Sequence, residues 1–252
     1  MIERFMNDPQ GNVLALIVLI ALIFSWIISL ILILKDTPVS TGKSWYTVLF
    51  PVFALLAVPA ALDLIQTSGL ALALALVVAV VLVIVIVVPL LVLFGKSSQG
   101  LADKWPGWII PVLVAGGLAV AGYLTFVEAT DNMIQCGPLS QCGSVQESQY
   151  AVLFGILPIG ALGLVGYLTI LLVWLVWFFG PNTLKNLSAL AIWGMCIFGV
   201  LFSFYLTFLE PFVIGATCMW CIASAVLMIL LLWASTPLTI GAMAVSDPDS
   251  DI

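Results

Sequence analysis

Covalent chemistry in this chain falls to its cysteines, because its 252 residues include no histidine. That excludes His-based general acid–base catalysis, His-ligated haem and His-containing zinc sites. The cysteines are Cys136, Cys142, Cys196, Cys218 and Cys221. The sharpest pattern is Cys218-Met219-Trp220-Cys221. At a helix start its two sulfurs share one face, the second ~4.5 Å deeper along the axis. Free amides and the positive dipole end stabilise a thiolate there and lower its pKa into the reactive range. Thr217 is the expected N-cap. The second pair, Cys136 and Cys142, lies in a polar stretch with Gln135, Ser140, Gln141, Ser144 and Gln146, where Gly137, Pro138 and Gly143 favour a loop. Four cysteines permit three pairings, and spacing selects none of them. A redox relay, a pair of structural disulfides and a zinc site built from all four thiolates stay open. The zinc site would need C-x5-C as its loop half, wider than the usual spacing. Cys196, isolated in an apolar stretch, reads as a small hydrophobe.

The elements that must position these thiols are membrane helices. Hydrophobic residues make up 64% of the chain and charged residues only 7%, against roughly a quarter charged in a soluble domain. The net charge of −6 leaves no basic patch to neutralise phosphates, so nucleic acid is excluded as a partner. A span needs ~20 apolar residues and avoids charge. The uncharged gaps therefore predict an all-α polytopic membrane protein with about seven helices, at 11–34, 45–63, 69–95, 106–127, 150–179, 187–209 and 216–236. Lys35, Lys43, Lys96, Lys104 and Lys185 then share one side, expected to be cytoplasmic. Asp63, Glu128, Asp131, Glu147 and Glu210 fall opposite, together with both cysteine pairs, on the side where disulfides persist. The first segment reads as a retained span: it lacks a basic n-region and an A-x-A-like site.

Composition divides the chain near residue 100. Residues 1–104 are read as three aliphatic helices of unknown role, 105–236 as the part that carries every cysteine, and 237–252 as an acidic cytoplasmic tail with Asp247, Asp249 and Asp251. Gly116, Gly117, Gly122, Gly160, Gly163 and Gly166 recur at helical spacing, the small-residue pattern of closely packed membrane helices. Gly160-x-x-Gly163-x-x-Gly166 is no nucleotide fingerprint, since no strand precedes it in this reading.

Residues 106–236 resemble the vitamin K epoxide reductase family of membrane thiol oxidoreductases, which includes bacterial functional equivalents of DsbB. The resemblance runs in order through Gly122-Tyr123-Leu124, Cys136 and Cys142, Ser148-Gln149-Tyr150-Ala151, and Phe154-Gly155-Ile156. It continues with Gly163, Tyr167, Tyr205-Leu206 and Glu210, and ends in Cys218-Met219-Trp220-Cys221. It implies a four-helix bundle around a quinone, ubiquinone or menaquinone, with the C-x-x-C at its outer rim. It also implies that Cys136 and Cys142 shuttle electrons from a thioredoxin-like (DsbA-like) partner to Cys218 and Cys221. Ser148 and Phe154 match the family's positions at the quinone end. Three departures stand out. Gly155-Ile156-Leu157-Pro158 replaces the family's Gly-Ile-Pro, Ala225 replaces a tyrosine of animal members, and no thioredoxin-like domain is fused. The partner is then a separate chain, and an epoxide-reducing role is disfavoured.

The residues suit that chemistry on their own terms. Moving electrons from a protein dithiol into a membrane needs a relay through mixed disulfides. Cys218 is expected to meet the loop and Cys221 to face the quinone ring, with Met219 and Trp220 adding apolar wall. Ser148 is the expected hydrogen-bond donor to the quinone. A transporter is the rival class, although no ionisable residue marks a mid-span pathway. A scaffold with structural disulfides is another, and would show no redox turnover.

Overall fold

The computed structural model describes residues 9–34, 108–130, 142–153 and 157–245. The helices expected at 45–63 and 69–95 lie outside the described residues, as do Cys136, Phe154 and the acidic end of the chain. The elements are α1 (Pro9–Leu34), α2 (Ile109–Thr130), a short α3 (Cys142–Gln146), strands β1 (Val152–Leu153) and β2 (Leu157–Pro158), α4 (Ile159–Phe179), α5 (Asn182–Leu209), a π-turn (Glu210–Ile214) and α6 (Met219–Val245). Among the described residues, five helices are long and apolar enough to cross a membrane: α1, α2, α4, α5 with its π-turn, and α6.

These helices are apolar on both faces, the signature of burial in lipid rather than against water. On α1, Ala15, Val18, Leu22 and Ile28 are buried, while Leu16, Ile20, Ile23 and Ile27 stand exposed on the opposite face. Helices α2, α4, α5 and α6 pack in a closed cycle: α2 on α4, α4 on α5, α5 on α6, and α6 back on α2. Small residues allow the close approach of α2 and α4. A Cβ on Gly117 would fall inside the Tyr167 ring, and one on Gly160 would meet the Thr125 backbone nitrogen at 2.9 Å. Tyr167 is fully buried, and its hydroxyl is 3.0 Å from Ser224 Oγ.

Three boundaries differ from the sequence reading. Helix α4 begins at Ile159 rather than at 150. Pro158 forces its predecessor out of helical geometry, and an antiparallel pair forms, with Val152 opposite Pro158 and Leu153 opposite Leu157. Helix α6 continues to Val245 through Pro237, so residues 237–245 are helix, not tail. Beside that proline, the Ser235 and Thr236 hydroxyls donate to the Leu232 carbonyl, which is how proline is tolerated inside membrane helices. Finally, α1 does not stand apart from the cysteine-bearing part. It belongs to the same compact unit as the other described elements and packs on α5 and α6. Trp193 Nε1 donates to Ser29 Oγ at 2.9 Å, Trp233 Nε1 to Ser25 Oγ at 3.3 Å, and Ser29 Oγ lies 2.8 Å from Thr236 Oγ1.

The glycine contacts give a paired test. Gly117→Ala forces the Tyr167 ring out of a packed site, which costs about 1–3 kcal/mol. Gly166 has open space where its Cβ would go, so Gly166→Ala gains helix propensity and leaves stability unchanged or slightly raised. Thermal unfolding of the two variants in detergent reads the contrast.

Candidate active site at the start of helix α6

The chain between α5 and α6 is shaped by two residues. Pro211 has no amide for the helical ladder, and α5 widens into the π-turn. Gly215, at φ 79°, ends that turn in left-handed geometry. Its amide and that of Ala216 return to the Glu210 carbonyl at 2.7 and 3.2 Å. This doubling back places the Glu210 side chain under the start of α6. There Glu210 Oε2 accepts the Cys218 amide at 3.3 Å.

Cys218, not Thr217, caps α6. Its carbonyl accepts the first helical bond, from the Ile222 amide at 3.0 Å. Its sulfur receives the amides of Trp220 and Cys221, the two donors an N-cap side chain normally satisfies. Thr217 instead donates to Asn12 Oδ1 of α1 at 3.0 Å. The Cys221 thiol also donates to the Cys218 sulfur. That bond, with the two amides, holds the Cys218 thiol below the ordinary thiol range, against the opposing effects of burial and of the Glu128 charge. The Cys221 thiol proton is shared with the Glu210 carboxylate.

Two cavities meet at this pair. The smaller, about 50 Å3, is lined by Cys142, Cys218, Cys221, Glu128, Glu210, Gln146 and Ser148 among others. The larger, about 540 Å3, is chiefly apolar and runs between α2, α4, α5 and α6. Phe198, Phe202, Leu206 and Met228 line it, with the Tyr167 and Ser224 hydroxyls as polar points. Of the described cysteines, Cys221 alone lines both.

The expected site residues fall as follows. Cys142 is buried beside the helix pair and is disulfide-bonded, whereas Cys196, Cys218 and Cys221 are free. Cys196 is fully buried on α5, fourteen residues or about 21 Å along the helix from Glu210. Ser148 lines the small cavity rather than the large one, and its hydroxyl donates to the Val145 carbonyl at 2.6 Å. Its proton is therefore already committed. Trp220 packs on Tyr123, ring centroids 4.5 Å apart, and does not line the large cavity. Four residues carry more of the site than their sequence context suggested: Glu128, Glu210, Tyr167 and Ser224. Glu210 and Tyr167 stood in the sequence only as residues of the family resemblance, Glu128 only as one of the acidic residues on the thiol side, and Ser224 carried no signal.

The capped sulfur makes a pH prediction. A lowered pKa means that Cys218 is more ionised at neutral pH than an ordinary thiol. In the reduced protein, its alkylation by iodoacetamide, followed by mass spectrometry, should therefore inflect at a lower pH than in the unfolded chain. Cys221→Ala removes the strongest donor, so the inflection should move upward.

The profile of the vitamin K epoxide reductase family matches residues 108–236. No curated protein and no solved structure matches the chain. The matched span includes both members of the C-x-x-C, Cys142, the two acidic residues and every residue lining either cavity named above. With just over half of its length matched, including the whole thiol site, this membrane chain belongs to the vitamin K epoxide reductase family of oxidoreductases.

Proposed function

We propose that the chain is a membrane thiol–disulfide oxidoreductase that reoxidises a separate thioredoxin-like protein and passes the electrons to a membrane quinone, supporting disulfide formation. The observation that carries this reading is the position of Cys221, which faces Cys142 and Cys218 across the small cavity and opens on the large apolar cavity. A relay from a protein dithiol to a lipid-soluble acceptor needs one sulfur in both spaces.

The large cavity fits such an acceptor. Its volume lies within the usual ~300–1,000 Å3 for small-molecule sites, and so does its balance of apolar wall and few polar groups. Phe198, Phe202 and Met228 would flank the ring, and the Tyr167 and Ser224 hydroxyls would orient its oxygens. A bound quinone supplies a two-electron, two-proton acceptor. The protein's own part is to hold Cys221 at the cavity wall and Cys218 ionised toward the loop pair. Cys142 is the loop sulfur buried next to Cys218, so Cys136 is assigned the contact with the partner protein. Ala225, 1% exposed, brings no hydroxyl to the site where animal members carry tyrosine, which favours quinone over epoxide chemistry.

Sidedness follows from charge. Lys185 and Glu210 sit at opposite ends of α5, about 38 Å apart along the helix. By the lysine rule the thiol end is extracytoplasmic and the end of the chain cytoplasmic. A thiol reagent that cannot cross membranes should therefore label the reduced loop cysteines in intact cells. Labelling only after permeabilisation would reverse the orientation.

The two cysteine pairs should fail in different ways. Replacing Cys136 and Cys142 by alanine should abolish oxidation of a thioredoxin-like substrate yet keep substantial quinone reduction by a small dithiol, which reaches the rim directly. Replacing Cys218 or Cys221 should abolish both. Quinone absorbance against time, with protein and small dithiols as donors, separates the cases. A scaffold or a four-thiolate zinc site predicts equal loss of folding from all four substitutions.

A further inference from the structure

Two carboxyls face the sulfurs, and the relay described above gives them no task. Glu210 is 1% exposed, and its two oxygens differ. Oε2 accepts the Cys218 amide, and the carboxylate also accepts the Cys221 thiol proton. Among the described residues Oε1 has no hydrogen-bond partner. Across the same cavity, Glu128 Oε2 and Gln146 Oε1 are also buried with no hydrogen-bond partner among the described residues. Three buried oxygens with spare lone pairs thus line one space of about 50 Å3. A water needs only ~10–15 Å3 of such space and two or more polar neighbours. Glu128 is half-buried near the exposed end of α2 at Thr130, so it spans from this cavity toward solution. It is held there by the Gln146 side chain and the Gly160 amide. Among the described residues, the titratable groups facing this space are Glu128 from α2, Cys142 from α3, Tyr150 from the turn before β1, Glu210 from the π-turn, and Cys218 and Cys221 from α6.

We propose that Glu210 is the proton donor and acceptor for Cys221, and that Glu128 links it, through water in the small cavity, to solution at the thiol-bearing end. The inference rests on the thiol-relay reading above. The exchange step balances without any further oxidant. A Cys142 thiolate attacks the Cys218 sulfur of a closed Cys218–Cys221 disulfide. The Cys142–Cys218 bond forms, the Cys218–Cys221 bond breaks, and Cys221 departs with the electron pair. Glu210 gives that sulfur a proton and is left as a carboxylate, where the new thiol can donate back to it. Glu210 stays a carboxylate while the pair is open. When the disulfide closes again the carboxyl is re-protonated, by Cys221 itself or from solution through water and Glu128. Glu210 touches the reacting sulfur and is therefore a catalytic residue, whereas Glu128 positions and resupplies.

The test uses the full chain in detergent, freed of quinone, with the Cys218–Cys221 pair cycled by a small dithiol and a mild oxidant. Infrared difference spectra between the two states should contain a carboxylic-acid carbonyl band that vanishes in Glu210→Gln and shifts in Glu128→Gln. General acid–base catalysis is worth about 10²–10⁴-fold. Single-turnover reduction of the disulfide should accordingly slow about 100-fold or more in Glu210→Gln, lose its solvent deuterium isotope effect, and recover in part in Glu210→Asp. A pair that opens and closes in the wild type with no carboxyl band would overturn the proposal, and that measurement needs no variant to fold. A Glu210→Gln rate within about threefold of wild type would overturn it as well. A wild-type pair that does not cycle at all would instead remove the thiol-relay reading, and this inference with it.

Discussion

A helix that begins inside a protein must satisfy its first amides, and at α6 sulfur and carboxylate share that duty. The Cys218 sulfur takes the amides of Trp220 and Cys221, while Glu210 takes the amide of Cys218 itself. Structure and reactivity therefore rest on the same atoms. An ionised sulfur caps a helix start better than a neutral one. Stabilising that thiolate stabilises the reduced pair, and a pair whose reduced form is stabilised is a stronger oxidant toward other thiols. The π-turn belongs to the same arrangement. Pro211 breaks the ladder and Gly215 turns the chain back, and without both the carboxylate would not lie beneath the cap.

Electrons and protons have different needs at this point. A thiol proton needs polar acceptors and water, which the small cavity provides through Glu128, Glu210 and Gln146. In the relay proposed above, an acceptor that dissolves in lipid needs an apolar chamber, and the large cavity is chiefly apolar. Merging the two would let water into the chamber and leave the carboxyls in hydrocarbon, where unsatisfied groups are costly. Leu124, Ile159, Gly160 and Leu206 border both spaces and form the partition, and Cys221 is the described cysteine set in it. Gly160 holds the partition thin. Any side chain there would strike Glu128 Oε2 and the α2 backbone.

What the sequence made legible follows from strong, local penalties. Charge is expensive in a bilayer, so the uncharged gaps locate α1, α2, α5 and most of α4 and α6 to within a few residues. The C-x-x-C at a helix start was equally readable, because spacing alone puts both sulfurs on one face. The misses have one physical origin: they depend on which surfaces meet. Residues 150–158 are apolar enough for a helix, but Val152 and Leu153 pair with Pro158 and Leu157 instead. Pro237 looks like a stop, yet neighbouring hydroxyls let α6 pass through it. Glu128 and Glu210 are 82 positions apart in sequence, and no periodicity reveals that they line one cavity. Ser148 sat in a matching motif position, but a local bond to Val145 claims its hydroxyl.

Helix α1 carries the same lesson furthest. It lies outside the span that matches the family, and its aliphatic sequence reads as lipid-facing on most sides. Three of its polar residues are nevertheless buried: Ser25 and Ser29 face α5 and α6, and Asn12 faces Thr217 just before α6. Hydrogen bonds between membrane helices are individually weak, about 0.6 kcal/mol on average, so their value here lies in placement rather than in stability. Ser25 and Ser29 clamp the middle of α6, and Asn12 holds Thr217, the residue immediately before the capping cysteine. The N-terminus of α6 is thereby fixed from one side by Glu210 and from the other by Asn12. A helix start gripped on two sides can hold its sulfur still while a disulfide forms and breaks upon it. In this chain the extra helix is part of the active-site scaffold.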